Sequence, residues 1–197
     1  MSHQNINKAK RKLVGMIVPK QEYGNIGKIV EEVFEECGNT LNKGKGPDLG
    51  NREIKTRGVD ATSPHTAGKM SKSKIISTPY ENSHIKEKLQ HQVRVYHQEN
   101  KFTGDNIIVR VNEVDLTDPQ IQAEAKDSYE HGRKIIADYV KRGIEPPKYI
   151  PPEGRAFYWE RTRKGQSWEF RTSDANMKRY ETISQVNDNP CFELIAV

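Results

Sequence analysis

The alternation Glu53-Ile54-Lys55 sets a condition that any fold of this chain must meet: in an extended strand the isoleucine turns to one side and both charged side chains to the other. The segment around it reads G-P-D-L-G-N-R-E-I-K-T-R from Gly46 to Arg57, so Asp48 lies just upstream of the same strand. Two carboxylates and an ammonium then converge while Ile54 points to a core. Without a cation, adjacent carboxylates repel and one tends to protonate, so such a cluster makes sense mainly as a cation site. Asp48 and Glu53 would supply oxygens and the Ile54 carbonyl another, the donor set that hard Mg²⁺ prefers. Lys55 would hold the attacking water or a phosphate.

The pattern Glu-x-Lys also occurs at Glu99-Lys101 and Glu124-Lys126. The first has no aspartate between it and Asp60. The second lies among apolar residues at helical spacing (Ile121, Ala125, Tyr129, Ile136, Tyr139, Val140), where positions two apart diverge. Only the copy at Asp48 combines an upstream acid, a preceding helix and basic surroundings; the competing reading of it is a solvated run of charges.

Charge supports an anionic partner. The chain of 197 residues carries a net charge of +5, yet residues 43–101 hold twelve Lys/Arg against six Asp/Glu, so the remainder sums to -1. Positive charge concentrated around the acids is the footprint expected for a phosphate backbone. With 34% apolar residues and a mean hydropathy of -0.89, the core is modest and the surface very polar. Cys37 and Cys191 are too few and too isolated for a zinc cluster or a disulfide framework, and His84, His91 and His97 match no metal-ligand spacing. No signal-type or membrane-spanning apolar run occurs, so the chain reads as soluble, intracellular and cytoplasmic.

Along the chain, residues 1–12 read as a mobile basic arm and 13–197 as a single domain, with a catalytic core over about 24–115 and reading and closing elements over 116–197. Apolar residues at Ile26, Ile29, Val30, Val33, Phe34 and Cys37 predict an amphipathic helix, with Glu31 at the border of its stripe. The segment 58–74, poor in apolar residues and carrying Lys69, Lys72 and Lys74, reads as a mobile loop that nucleic acid would order or as a plain surface excursion. A short helix is expected over 81–89, strands at Val93-Val95 and 107–111, and a helix opened by Asp118-Pro119 and stopped by Gly143. Aromatic strands flanking Lys164-Gly165 predict a hairpin with its rings in the core, followed by a helix over 174–185 and a strand over 191–197.

A helix bearing glutamate, a glycine-lysine loop, an aspartate and an E-x-K strand, in that order, resembles the PD-(D/E)xK nuclease superfamily. The segments G-K-I-V-E (27–31), D-L-G-N-R-E-I-K-T (48–56) and I-K-E-K-L (85–89) are similar to MutH-type DNA endonucleases and their related type II restriction enzymes. The resemblance implies a central mixed β-sheet flanked by helices, with a C-terminal hairpin region. It implies an active site of Glu31, Asp48, Glu53, Lys55 and Lys88, with one or two Mg²⁺ (Mn²⁺ substituting) held by Asp48, Glu53 and the Ile54 carbonyl. It further implies sequence-specific cleavage of double-stranded DNA by a homodimer, or in the alternative repair-type reading, nicking under a MutL-like activator. A non-catalytic DNA-binding protein is the reading from another class. W-E-F-R-T-S-D-A-N (168–176) looks like the family's base-reading turn, placing Arg171, Thr172, Ser173 and Asp174 at base edges, while Lys69, Lys72 and Lys74 would hold phosphates.

Overall fold

In chain order, the computed structural model contains α1 (His3–Leu13), β1 (Ile17–Val18), α2 (Ile26–Glu36), β2 (Arg52–Gly58), β3 (His65–Met70) and α3 (Lys72–Ser77). After a 3₁₀ turn at Tyr80–Asn82 come α4 (His84–Lys88), β4 (His91–Glu99), β5 (Asn106–Asp115) and α5 (Pro119–Lys141). The chain closes with β6 (Tyr149–Ile150), β7 (Phe157–Arg161), β8 (Trp168–Thr172), α6 (Asp174–Gln185) and β9 (Phe192–Glu193). The structure describes residues 3–20, 25–44, 47–163, 165, 167–185 and 192–193. Of the strand expected over 191–197, only Phe192–Glu193 falls within them.

The architecture is mixed α/β and comprises two compact units, each assembled from separate stretches of chain: 1–61, 91–115 and 184–197 form one, and 62–90 with 116–183 form the other. The first is built on a mixed sheet ordered β1-β5-β4-β2, with β9 also on β5. Among the described residues β2 and β4 are the one parallel pair, in register from Arg52↔His91 to Gly58↔His97. Ile54, Val93, Val95 and Val111 join Val30, Val33 and Phe34 of α2 in one hydrophobic cluster.

Residues 3–13 form not a mobile arm but the helix α1, and the reason is tertiary. An isolated helix of eleven residues is marginal in water. Here Ile6, Ala9 and Leu13, spaced along one stripe, are buried to 1% exposure or less, and each large apolar side chain so buried is worth about 1.5–3 kcal/mol. Lys10 lies on the same stripe, fully buried, with its Nζ 3.0 Å from Glu113 Oε1; Arg52 Nε binds the other Glu113 oxygen at 3.2 Å. A lysine that reads as surface charge in sequence is therefore a core residue, tolerated because an acid 103 positions away neutralises it.

The second unit packs a four-stranded antiparallel sheet, β3-β8-β7-β6, against α5. The hairpin aromatics fill its core as expected: Phe157, Trp159, Trp168 and Phe170 are at most 1% exposed, and Tyr129 of α5 meets both Trp159 and Phe170 edge-on. Gly132 permits the close approach of α5, since a Cβ there would stand 2.3 Å from Trp159 Cδ1. Asp118 caps α5 by accepting from Gln120 N at 2.9 Å, with Pro119 in the first turn.

The segment 58–74 is likewise corrected. It contains β3, which pairs with β8, and the start of α3, whose N-cap is Ser71. Pairing with β8, from His65↔Thr172 to Met70↔Trp168, forms the strand despite its low apolar content, with a register shift between Thr66 and Gly68. Gly68 also leaves room for Ile85, whose Cδ1 would be 2.5 Å from an added Cβ.

Candidate active site

A tight turn brings Asp48 to the strand. Leu49 and Arg52 exchange backbone hydrogen bonds of 2.7 and 3.0 Å across Gly50-Asn51, and Gly50 sits at φ 64°, a conformation that favours glycine. With 49 facing 52, residue 48 comes to lie across from 53. Asp48 Oδ2 then accepts from Ile54 N at 2.9 Å, and the Asp48 carbonyl accepts from Asn42 N at 2.8 Å. The short spacing of five between the two acids is therefore what a two-residue turn requires.

On β2, Ile54 is buried in the hydrophobic cluster while Glu53 and Lys55 leave by the opposite face, where Lys55 Nζ donates to Glu53 Oε1 at 2.7 Å. Glu53 is 3% exposed, whereas 30% of the Lys55 side chain is accessible, so the ammonium forms the rim of the site. Glu31, half-buried on α2, belongs to the same electrostatic group. Burial raises its carboxyl above the ordinary range, and the negative charges of Asp48 and, more weakly, Glu53 push it further, against the pull of Lys43. Lys43 itself is drawn to Glu35, with 2.9 Å between them.

The parallel register adds residues that the motif does not contain. Gln92 and Arg94 on β4 are paired with Glu53 and Lys55 and so project to the same face, and Asn112 of β5 is opposite Arg94. All three are no more than 3% exposed. Polar residues interleaved with Val93 and Val95 were the available sequence signal; which strand they would flank was not readable.

Among the described residues no three Asp, Glu, His or Cys side chains form a ready-made metal cage. The donor set instead fits a hydrated ion. Mg²⁺ keeps several waters and needs only one or two carboxylates, and the mutual repulsion felt at Glu31 is what a cation would relieve.

The remaining expected residues are in the second unit. Lys88 ends α4, a short helix capped by Ser83. Lys69 is on β3 with Nζ 2.8 Å from Glu169, and Lys72 opens α3 with Nζ 2.9 Å from Glu145, so each already has an acidic partner; Lys74 lies on α3. Arg171 is held between Glu160, 2.7 Å away, and Glu169. Thr172 is fully buried and its hydroxyl donates to the Ala156 carbonyl at 2.7 Å, so it presents no edge to a ligand. Ser173 Oγ accepts from Asn176 N at 3.2 Å in the first turn of α6, and Asp174 pairs with His65 Nε2 at 3.0 Å and with Lys178 at 2.9 Å. Among the described residues no helix is long and apolar enough to cross a membrane.

No family model matches the chain, and no curated protein matches it. Among solved structures it is similar to one described as the restriction endonuclease MvaI in complex with its cognate DNA substrate, at 12% sequence identity and a TM-score of 0.47, over 99% of this chain and 100% of that one. So distant a likeness carries no argument about function.

Proposed function

We propose that the chain is a Mg²⁺-dependent endonuclease of the PD-(D/E)xK type that cuts double-stranded DNA at a short specific sequence, as type II restriction enzymes do. The observation that carries the reading is the convergence at one strand of Asp48, bound to Ile54 N at 2.9 Å, and the Glu53–Lys55 pair at 2.7 Å, with Glu31 responding to both acids. A purely structural role leaves unexplained why the charges of Asp48 and Glu53 both act on the half-buried Glu31 carboxyl.

Asp48, Glu53 and the Ile54 carbonyl would hold one or two Mg²⁺, with Mn²⁺ able to substitute. When bound, the ion neutralises charge developing on the phosphate and makes its water more acidic. Lys55, anchored by Glu53 with part of its side chain exposed, would bind the scissile phosphate or orient the attacking water. The turn through Gly50 keeps Asp48 in place before substrate arrives, so little reorganisation is needed. Arg171, its guanidinium steadied by two carboxylates, is the base-edge candidate that suits bidentate recognition of guanine. On a palindromic site the enzyme would act as a symmetric homodimer.

The test is digestion of a phage genome with Mg²⁺, with Ca²⁺ and with EDTA. Discrete fragments in Mg²⁺ alone are expected, and Lys55→Ala should abolish them while DNA binding in Ca²⁺ survives. Cleavage by Lys55→Ala at the wild-type rate, or no cleavage of methylated and unmethylated DNA alike, would overturn the proposal.

A further inference from the structure

On the face of the first unit's sheet opposite to Glu53 and Lys55, three charged side chains form a triad: Lys10 Nζ lies 3.0 Å from one Glu113 oxygen and Arg52 Nε 3.2 Å from the other. Lys10 is fully buried, and the Glu113 and Arg52 side chains are mostly so. Glu113 is on β5 and Arg52 on β2, with β4 between them, so this pair spans two strand spacings, about 10 Å between backbones. The Lys10 ammonium on one oxygen fixes the orientation of the carboxylate, and its second oxygen is thereby presented to the guanidinium.

Stability alone accounts poorly for such an arrangement. Taking three charges out of water costs much of what their attraction returns, and well-packed apolar side chains often serve a core as well or better. What buried ions give in return is fixed geometry, and Arg52 stands where geometry matters to the site. Its backbone closes the turn: Leu49 N donates to Arg52 O at 2.7 Å and Arg52 N to Leu49 O at 3.0 Å. Its Nη1 donates to Asn51 Oδ1 at 3.1 Å inside the same turn. That turn sets Asp48 Oδ2 2.9 Å from Ile54 N, and Glu53 is the next residue along. Arg52 shares the core face with Ile54, so its side chain is directed away from the face where Glu53 and Lys55 stand.

We propose that Arg52, clamped by Glu113 and Lys10, is a positioning residue that holds the turn 49–52 and, through it, the Asp48 carboxylate against β2. The consequence for metal binding rests on the endonuclease reading; the placement of Asp48 does not.

The test uses the full chain with Arg52→Met, which leaves the Lys10–Glu113 pair intact, and with Lys10→Met/Glu113→Leu/Arg52→Met, which replaces the triad by apolar groups. Two quantities are read: amide hydrogen exchange of Ile54 relative to Val95 without metal, and the Kd for Mn²⁺ by isothermal titration. In both variants Ile54 should exchange about 10–100-fold faster against the Val95 reference, as for loss of a hydrogen bond to a charged group. The Kd should rise about 10–100-fold. Both changes should appear even where the urea midpoint of the triple variant equals or exceeds that of the wild type, which a merely stabilising role would not produce; if the triple variant does not fold, Arg52→Met decides. Arg52→Lys, which keeps a cation opposite Glu113, should lie nearer the wild type on both measures. Wild-type Ile54 exchange in the variants would overturn the proposal, as would faster exchange with an unchanged Kd. A wild type that neither binds Mn²⁺ nor cuts DNA would sink the endonuclease reading alone, and Ile54 exchange would then decide the positioning of Asp48 by itself.

Discussion

Replacing Glu31 by glutamine keeps the shape of the side chain and removes its charge, which separates stability from activity. Burial first, then the charges of Asp48, Glu35 and, least, Glu53, hold the Glu31 carboxyl above its ordinary value of 4.5 in the folded chain, against the pull of Lys43. A carboxyl raised on folding contributes stability that is fully present below the ordinary value and is lost as pH rises through the raised one. At neutral pH and without divalent ions, Glu31 is therefore unfavourable and Glu31→Gln should be the more stable protein. Because the side chain is only half-buried, solvent screening limits the gain to about 0.5 kcal/mol, or about 1–2 °C in Tm for a chain of this size. The gain should shrink to nothing below about pH 4, where the carboxyl is protonated in both states. Cleavage should move the other way, falling about 10–100-fold as for other groups that orient a metal site. Thermal scans from pH 4 to 8 in EDTA, paired with single-turnover cleavage in Mg²⁺, measure both. A variant less stable than wild type at pH 7.5 would refute the electrostatic reasoning, and one that is more stable yet cuts at full rate would remove Glu31 from the site.

Glu113→Gln strips the buried Lys10 of its counter-ion and should cost about 3–5 kcal/mol in urea unfolding. Glu113 is raised by burial, but Lys10 and Arg52 outweigh this and lower it overall. Its contribution is thus present above the ordinary carboxylate range and lost as pH falls through the lowered value, so the variant should show a flatter acid-unfolding limb; a cost below about 1 kcal/mol would contradict burial of the pair. Gly132→Ala drives a methyl group into Trp159 and should lower stability by about 1–3 kcal/mol, measured by the urea midpoint, with a neutral result refuting the close approach. Thr172→Val should cost about 1–2 kcal/mol through the lost hydrogen bond to Ala156 and leave the cleaved sequence unchanged, whereas an altered fragment pattern would restore Thr172 as a base reader.

Elements whose instructions are local were legible in the chain. The stripe from Ile26 to Cys37, the cap at Asp118-Pro119 and the aromatic hairpin each declare themselves within a few turns of sequence, because period and capping act over three or four residues. The local geometry around Asp48, Glu53 and Lys55 was legible for the same reason: Asp48 reaches Ile54 across six positions with one glycine turn between, and alternation alone sends Glu53 and Lys55 away from the core. Tertiary structure decided what depends on distant partners. Helix α1 looks like a charged arm until Glu113, 103 residues away, neutralises Lys10 in the core. Strand β3 has too little apolar content to announce itself and is defined by pairing with β8, a hundred residues on. Gln92 and Arg94 become neighbours of Glu53 and Lys55 only through a parallel register, and the proximity of Glu31 to the acids depends on how α2 packs on the sheet. Hydrogen-bond periodicity is a property of neighbouring residues, but the low dielectric of a core, and hence which charges can be buried or brought together, exists only once the whole chain has assembled.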